Sequence, residues 1–216
     1  MFKNRQEAGE KLAEKLFQSI SKELFKNAIV LAVPRGGVAI GRLIAEKLDC
    51  SLDVIVTRKI GAPGTKELAI GAVGETSGSV YLNKRIVDEL DISEKYLQKE
   101  ILEQKKEIIR REKLYRKDKP ALSLEGKIVI LVDDGAATGA TLIAAAREVW
   151  NNNPKKVIIG LPVAPQDTAR KLGKEADEVE VLYTPSPFFS VGQFYEEFEQ
   201  VSDEEVIQNL TIRQIG

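Results

Sequence analysis

The feature that most narrows the fold of this 216-residue chain is Ile128-Val129-Ile130-Leu131-Val132, an aliphatic and β-branched run with no polar interruption. So short and uniformly apolar a run reads as a strand buried on both faces, as in the middle of a parallel sheet. Asp133 and Asp134 follow at once, then the small-residue stretch from Gly135 to Thr141. Leu142 to Trp150 has good helix formers and an apolar face. Strand, acid pair, small-residue turn and helix together make an anion cradle at a strand's carboxyl end.

Each residue type in that turn has a physical role. Gly135, Ala136, Ala137, Gly139 and Ala140 have almost no side chain, so an anion can approach their backbone N–H groups, while Thr138 and Thr141 add hydroxyl donors. The helix starting near Gly139 contributes unpaired N–H groups and the positive end of its dipole. Asp133 and Asp134 cannot bind phosphate, but they can accept hydrogen bonds from two neighbouring hydroxyls. A ligand with a phosphate at one end and a vicinal diol close by, a ribose 5-phosphate, satisfies both halves. The nearest rival is a nucleotide-binding P-loop, Gly-x-x-x-x-Gly-Lys-Ser/Thr. Here Gly135 and Gly139 are one residue too close and Ala140 replaces the lysine. The bland reading is a strand-turn-helix with two exposed acids.

The stretch from Val129 to Thr141 resembles the phosphoribosyl pyrophosphate (PRPP) motif of type I phosphoribosyltransferases. That resemblance implies that the acid pair holds the ribose 2′- and 3′-hydroxyls and that the following loop wraps the 5′-phosphate. Gly135 and Ala136 stand where the family usually has larger aliphatic residues. Ala137 stands where purine-salvage members often carry an aspartate, which removes a purine-type acid/base group from this position.

Composition limits the chemistry. Histidine is absent, which excludes Ser-His-Asp and Cys-His catalysis and most zinc sites. Carboxylates, cations, backbone dipoles and a diffusible metal remain. Phosphoribosyl transfer can run on these, because its transition state is a cationic ribosyl centre parting from pyrophosphate. The single Cys50 cannot form an internal disulfide and suits a reducing cytoplasm. A net charge of -1 argues against a general nucleic-acid binder. No apolar run approaches the ~20 residues of a membrane span, and the polar amino terminus does not read as a secretory signal.

Along the chain, Arg5 to Lys26 reads as an amphipathic packing helix. Ala28 to Val33 is a second buried strand, running through Pro34-Arg35-Gly36-Gly37 into a helix over Val38 to Leu48. That turn resembles the family's pyrophosphate-binding loop, in which strained or cis backbone is common; otherwise it is a plain turn with a solvated arginine. Leu52 to Thr57 reads as a third strand ending at Arg58 and Lys59. These cations precede the Gly/Pro-rich stretch Ile60-Gly61-Ala62-Pro63-Gly64 and a hairpin of Leu68 to Val73 with Ser79 to Leu82. The placement resembles the flexible loop that closes over PRPP and excludes water, which makes Arg58 and Lys59 candidates for pyrophosphate contact. Lys66 and Glu67 read as a solvated loop tip.

Asn83 to Leu90 suggests a short helix. Ser93 to Lys119 reads as one long charged helix, capped by Ser93. With acids interleaved among its cations, it reads as a solvated helix or a dimer arm rather than a nucleic-acid face. Val157 to Ala164 is another buried strand, Pro165 to Lys174 a helix and Glu178 to Tyr183 a last strand. Tyr183, Phe188, Phe189, Phe194, Tyr195 and Phe198 crowd the carboxyl-terminal part, and such density calls for burial. The segment Pro185 to Phe194, together with Arg58 to Gly64, resembles a subgroup of uncharacterised bacterial phosphoribosyltransferases; this likeness spans most of the chain.

Alternating strands and helices predict an α/β fold with a mainly parallel central sheet flanked by helices. The resemblance adds a small hood from 184–216 and a flexible loop hairpin on one 1–216 domain. It further implies a magnesium-dependent enzyme that transfers phosphoribose from PRPP to a nitrogenous acceptor, in the cytoplasm and with room for a homodimer. Its site would comprise Arg35, Gly36, Gly37, Arg58, Lys59, Asp133, Asp134 and the loop Gly135, Ala136, Ala137, Thr138, Gly139, Ala140 and Thr141. Magnesium would ride on PRPP oxygens, with at most water-mediated contact to Asp133 or Asp134. Two alternatives remain: a PRPP-sensing regulatory or nucleic-acid-binding protein without transferase activity, and a ribose-phosphate hydrolase.

Overall fold

A computed structural model describes residues 1–74, 80–117 and 119–211, and of Lys66 and Glu67 only the backbone. The expected hairpin connection through Glu75 to Gly78, with Ser79, lies outside the described residues.

Five strands form the central sheet: β1 (Ala28–Ala32), β2 (Ser51–Val54), β6 (Ile128–Val132), β7 (Lys156–Val163) and β8 (Glu178–Tyr183). Their order is β2-β1-β6-β7-β8 and every pairing is parallel. Between β2 and β6 the chain leaves this sheet. There β3 (Arg58–Ala62), β4 (Thr65–Val73) and β5 (Val80–Leu82) make a separate antiparallel sheet, followed by α4 (Lys84–Glu89) and α5 (Glu94–Arg116).

The apolar runs are uniform because both faces of the sheet are covered. Val30, Ala32, Ile128, Ile130, Val132 and Ile158 face a core with α1 (Arg5–Ser19) and α3 (Gly36–Leu48). Their alternate neighbours Ile29, Leu31, Val129, Leu131, Val157 and Ile159 face a second core with α6 (Ala140–Trp150) and α7 (Gln166–Leu172). Each large aliphatic side chain removed from water contributes roughly 1.5–3 kcal/mol before chain entropy is subtracted.

Several elements depart from the sequence-based expectation for local reasons. The single amino-terminal helix is two, α1 and α2 (Lys22–Phe25). Between them Ile20 is extended (φ -96°, ψ 133°), a β-branched residue flanked by two serines that favour caps over helix interiors. Of the stretch Ile60 to Gly64 that reads as a Gly/Pro-rich loop, Ile60 to Ala62 belong to the paired strand β3, with irregular register at Ile60/Gly61 and Gly61/Ala62, and only Pro63 and Gly64 turn. Such bulges break the period-2 pattern that would reveal a strand.

The long helix occurs as expected, with the Ser93 hydroxyl accepting from the Tyr96 amide at 3.3 Å. Its basic side chains are partly tied up, since Glu107 accepts from both Arg110 and Arg111 at 2.8 Å. Arg116 clamps its carboxyl end to the sheet through Asp53 Oδ1 at 3.1 Å and the Val54 carbonyl at 2.6 Å. At the chain's two ends, the Phe2 amide donates to the Phe194 carbonyl and the Glu196 amide to the Phe2 carbonyl. The carboxyl-terminal helix α8 (Asp203–Thr211) packs on α3 and α5.

Candidate active site

The strand order decides where a ligand can bind. From β1 the chain crosses through α3 to β2 on one side, whereas β6 lies on the other side of β1. Helices leave in opposite directions at this reversal, and their divergence opens a crevice beyond the carboxyl ends of β1 and β6. The turns that meet there are Pro34-Arg35-Gly36-Gly37 and Asp133 to Gly139. The Pro34–Arg35 peptide is cis.

Contact between the two turns depends on glycine. A Cβ on Gly36 would lie 1.8 Å from Asp134 Oδ2, and one on Gly37 would lie 2.9 Å from both the Asp133 Cα and the Val132 carbonyl oxygen. No residue with a side chain fits between these backbones at such distances.

The loop after the acid pair is fastened from outside. The Ala136 amide donates to the Val163 carbonyl at 3.0 Å, and Thr168 Oγ1 on α7 donates to the Ala137 carbonyl at 2.6 Å. Among the described residues the amides of Ala137, Thr138, Gly139 and Thr141 make no hydrogen bond. Ala137 and Thr138 are exposed and Gly139 stands at the start of α6, so these N–H groups can donate to an incoming anion. The cavity here is about 280 Å³, small for a ligand site. Asp133, Asp134, the loop from Gly135 to Leu142, Lys59, Val191 and Phe198 line it. Both carboxylates and the free amides therefore share one space.

Electrostatics in the cavity are uneven. Burial, with the neighbouring Asp134 charge, raises the Asp133 carboxyl well above the usual carboxylate range, against the pull of Lys59 and Arg5. Asp134 is also raised by burial, but its Oδ2 accepts from Arg5 Nε at 2.8 Å, which opposes the rise. Tyr195 donates its hydroxyl to the Asp134 carbonyl at 2.6 Å, and burial pushes that phenol up. Arg5 lies on the helix read from sequence as packing alone. No sequence signal marks it, because its partner is 129 residues away.

The expected cations are distributed differently. Neighbours on β3 point to opposite faces. Lys59 lines the cavity, whereas Arg58 Nε donates to Gln104 Oε1 on α5 at 2.9 Å. Burial beside Arg111 lowers the Arg58 guanidinium from its ordinary value. The Arg35 guanidinium faces Asp203 on α8 at 4.0 Å, and Asp203 also accepts from the Tyr115 hydroxyl at 2.6 Å. From this division we expect Lys59→Ala to weaken binding of a pyrophosphate-bearing sugar about tenfold, and Arg58→Ala to weaken it much less. Titration calorimetry of both variants measures the order; equal losses would reject it.

Comparison with known proteins matches this geometry to a family. The family model described as the phosphoribosyl transferase domain matches residues 3–195. The chain is 39% identical over 207 residues to "Putative phosphoribosyl transferase Rv0571c" of Mycobacterium tuberculosis (strain ATCC 25618 / H37Rv), and equally to "Putative phosphoribosyl transferase MT0597" of strain CDC 1551 / Oshkosh. The match covers 96% of this chain and 46% of each relative, so the chain spans about half their length. Among solved structures, TT1426 from Thermus thermophilus shares 37% identity at a TM-score of 0.78, with 97% of each chain covered. The family match runs from the paired amino-terminal segment through both turns of the crevice to Tyr195, and the chain belongs to the phosphoribosyl transferase domain family.

Proposed function

We propose that this protein is a phosphoribosyltransferase that uses PRPP with magnesium, takes a nitrogenous base as acceptor and releases pyrophosphate. The observation that carries the reading is the shared cavity: two carboxylates at one side and unpartnered loop amides at the other. A sugar phosphate supplies the matching pair, a diol and an anion.

In this reading Asp133 and Asp134 orient the ribose hydroxyls, and the amides from Ala137 to Thr141 hold the 5′-phosphate. Gly36 and Gly37 let the pyrophosphate-side turn pack directly against the acids. Lys59 is the cation already in the cavity. Arg35 and Arg58 would complete the charge on turning from Asp203 and Gln104. The acceptor nitrogen forms its bond to the anomeric carbon as the bond from that carbon to pyrophosphate oxygen breaks. The bonding electrons leave on pyrophosphate, and the acceptor's proton passes to water. Positioning and charge stabilisation do most of this work, which suits a chain with no histidine.

Asp133 and Asp134 offer carboxylate oxygens, the hard donors that magnesium prefers, and a nearby cation would oppose the rise that burial causes in both carboxyls. Among the described residues no group of three or more His, Cys, Asp or Glu side chains is placed to hold a metal. Asp133 or Asp134 would hold magnesium through water, and the ion would supply charge neutralisation on pyrophosphate. Cys50, the chain's single cysteine, is buried and forms no internal disulfide, which suits the cytoplasmic setting of this reading. No helix among the described residues is long and apolar enough to cross a membrane.

The direct test is a panel of purine, pyrimidine and other amine acceptors, assayed for pyrophosphate release with PRPP and magnesium. We expect release that depends on one acceptor class. Release without an acceptor would favour a hydrolase. Binding of PRPP with no release would favour a sensor, and no PRPP binding by calorimetry would reject the reading.

A further inference from the structure

Arg5 lies at the start of α1, far in sequence from the crevice, yet it is built into the wall behind Asp134. Its Nε donates to Asp134 Oδ2 at 2.8 Å, and both side chains are nearly sealed, at 14% and 13% exposure. One of its terminal nitrogens donates to the Glu199 carbonyl at 2.7 Å. Its guanidinium carbon lies 3.9 Å from the centroid of the Phe198 ring. Phe198 also lines the cavity and packs on Tyr195 with centroids 4.9 Å apart. Tyr195 in turn holds the Asp134 carbonyl. A guanidinium has a flat face and a fixed fork of donors, so one group can stack on a ring while bonding two oxygens in its plane; an ammonium has neither the planar face nor the fixed fork. Gly36 completes the pocket for this pair, since a Cβ there would meet Asp134 Oδ2 and Arg5 Nε.

We propose that Arg5 is a positioning residue for the acid pair: it fixes Asp134 by a charged partner on Oδ2, whereas Asp133, held only by the Asp134 amide at Oδ1, is the carboxylate that takes the ligand diol first. The inference rests on the reading of the cavity as a PRPP site. It assigns unequal roles to two adjacent acids that sequence alone presents as equivalent. It also makes the amino-terminal helix and the Phe198 segment parts of one support, because Arg5 contacts Asp134, Phe198 and Glu199 at once.

The test uses Arg5→Ala and Arg5→Lys in the full chain. PRPP affinity by calorimetry is expected to fall about 10- to 100-fold in Arg5→Ala, the usual loss when an orienting partner behind a binding group is removed. Added guanidinium ion, at concentrations that leave the wild type folded, is expected to restore part of that affinity, and methylammonium is not. Arg5→Lys keeps the charge and folds if the alanine variant does not; its affinity is expected between the two. Unchanged affinity in Arg5→Ala, a loss that guanidinium does not rescue, or full affinity in Arg5→Lys would each overturn the proposal. A thermal-unfolding cycle of Arg5→Ala, Asp134→Asn and their combination separates this from the functional reading. If the wild type fails to bind PRPP, that reading falls, while non-additive melting temperatures still support the Arg5–Asp134 clamp and additive ones overturn it.

Discussion

Asp133→Asn is expected to bind PRPP about 10- to 100-fold more weakly than the wild type while folding as well or better. The affinity loss follows from replacing a charged acceptor by a neutral one, since hydrogen bonds to charged groups contribute about 1.5–3 kcal/mol. The fold is spared because the asparagine carbonyl can still accept from the Asp134 amide, now bonded to Asp133 Oδ1 at 2.8 Å. Stability should shift with pH in a defined direction. Folding raises the Asp133 carboxyl above its unfolded value, by burial and by the Asp134 charge. Its favourable contribution is thus complete below the ordinary aspartate range, near about pH 4, and is lost as pH rises through the raised value. Asparagine never ionises and escapes that loss. The melting temperature of Asp133→Asn relative to wild type should therefore climb from acid toward neutral pH, reaching a gain of about 1 kcal/mol, or about 2–4 °C. Calorimetry and melting curves across that range check both parts. Unchanged PRPP affinity would sink the ribose assignment, and a stability gap that widens against the variant would sink the electrostatic one.

Gly135→Ala is expected to be the most destabilising single change in the loop. Gly135 has φ 155°, a conformation that side chains rarely adopt, and an added Cβ would lie 2.6 Å from Val191 Cγ1 and 2.9 Å from Val163 Cγ1. Overpacking of this kind costs typically about 1–3 kcal/mol, and the backbone strain adds to it. For a chain of this length that is a drop of about 5–10 °C in melting temperature. The loop also loses its register on Val163, so the free amides no longer share the cavity with the acids, and PRPP binding should fall with stability. A variant that melts within a degree of wild type would show that Val191 and the loop yield easily. Gly126→Ala is a useful contrast, because Gly126 also has positive φ (68°) but an added Cβ there meets nothing within 4 Å.

The readable part of this protein is local. Ile128 to Val132 and Ala28 to Val33 announce buried parallel strands because two-sided burial permits no polar residue, and the acid pair and small-residue turn announce themselves by composition. Both turns meet at the crevice that their strands' carboxyl ends imply. The β3 strand was hidden because its bulged register, its Gly61 and the Pro63-Gly64 turn just after it imitate a loop. Once that segment is a strand, the adjacent Arg58 and Lys59 must part, and only Lys59 reaches the cavity.

Sequence by itself determined the fold class and the strand, acid pair, small-residue turn and helix at the centre, since periodicity, burial and residue size act between near neighbours in the chain. Tertiary structure alone decided that Arg5 pairs with Asp134, which of two neighbouring cations lines the cavity, and that Val191 and Phe198 line it too. Those outcomes depend on contacts between residues far apart in the chain, such as Arg5 to Asp134. No local preference encodes such a contact, because the free energy that fixes it is released only when the packed layers bring the two groups together.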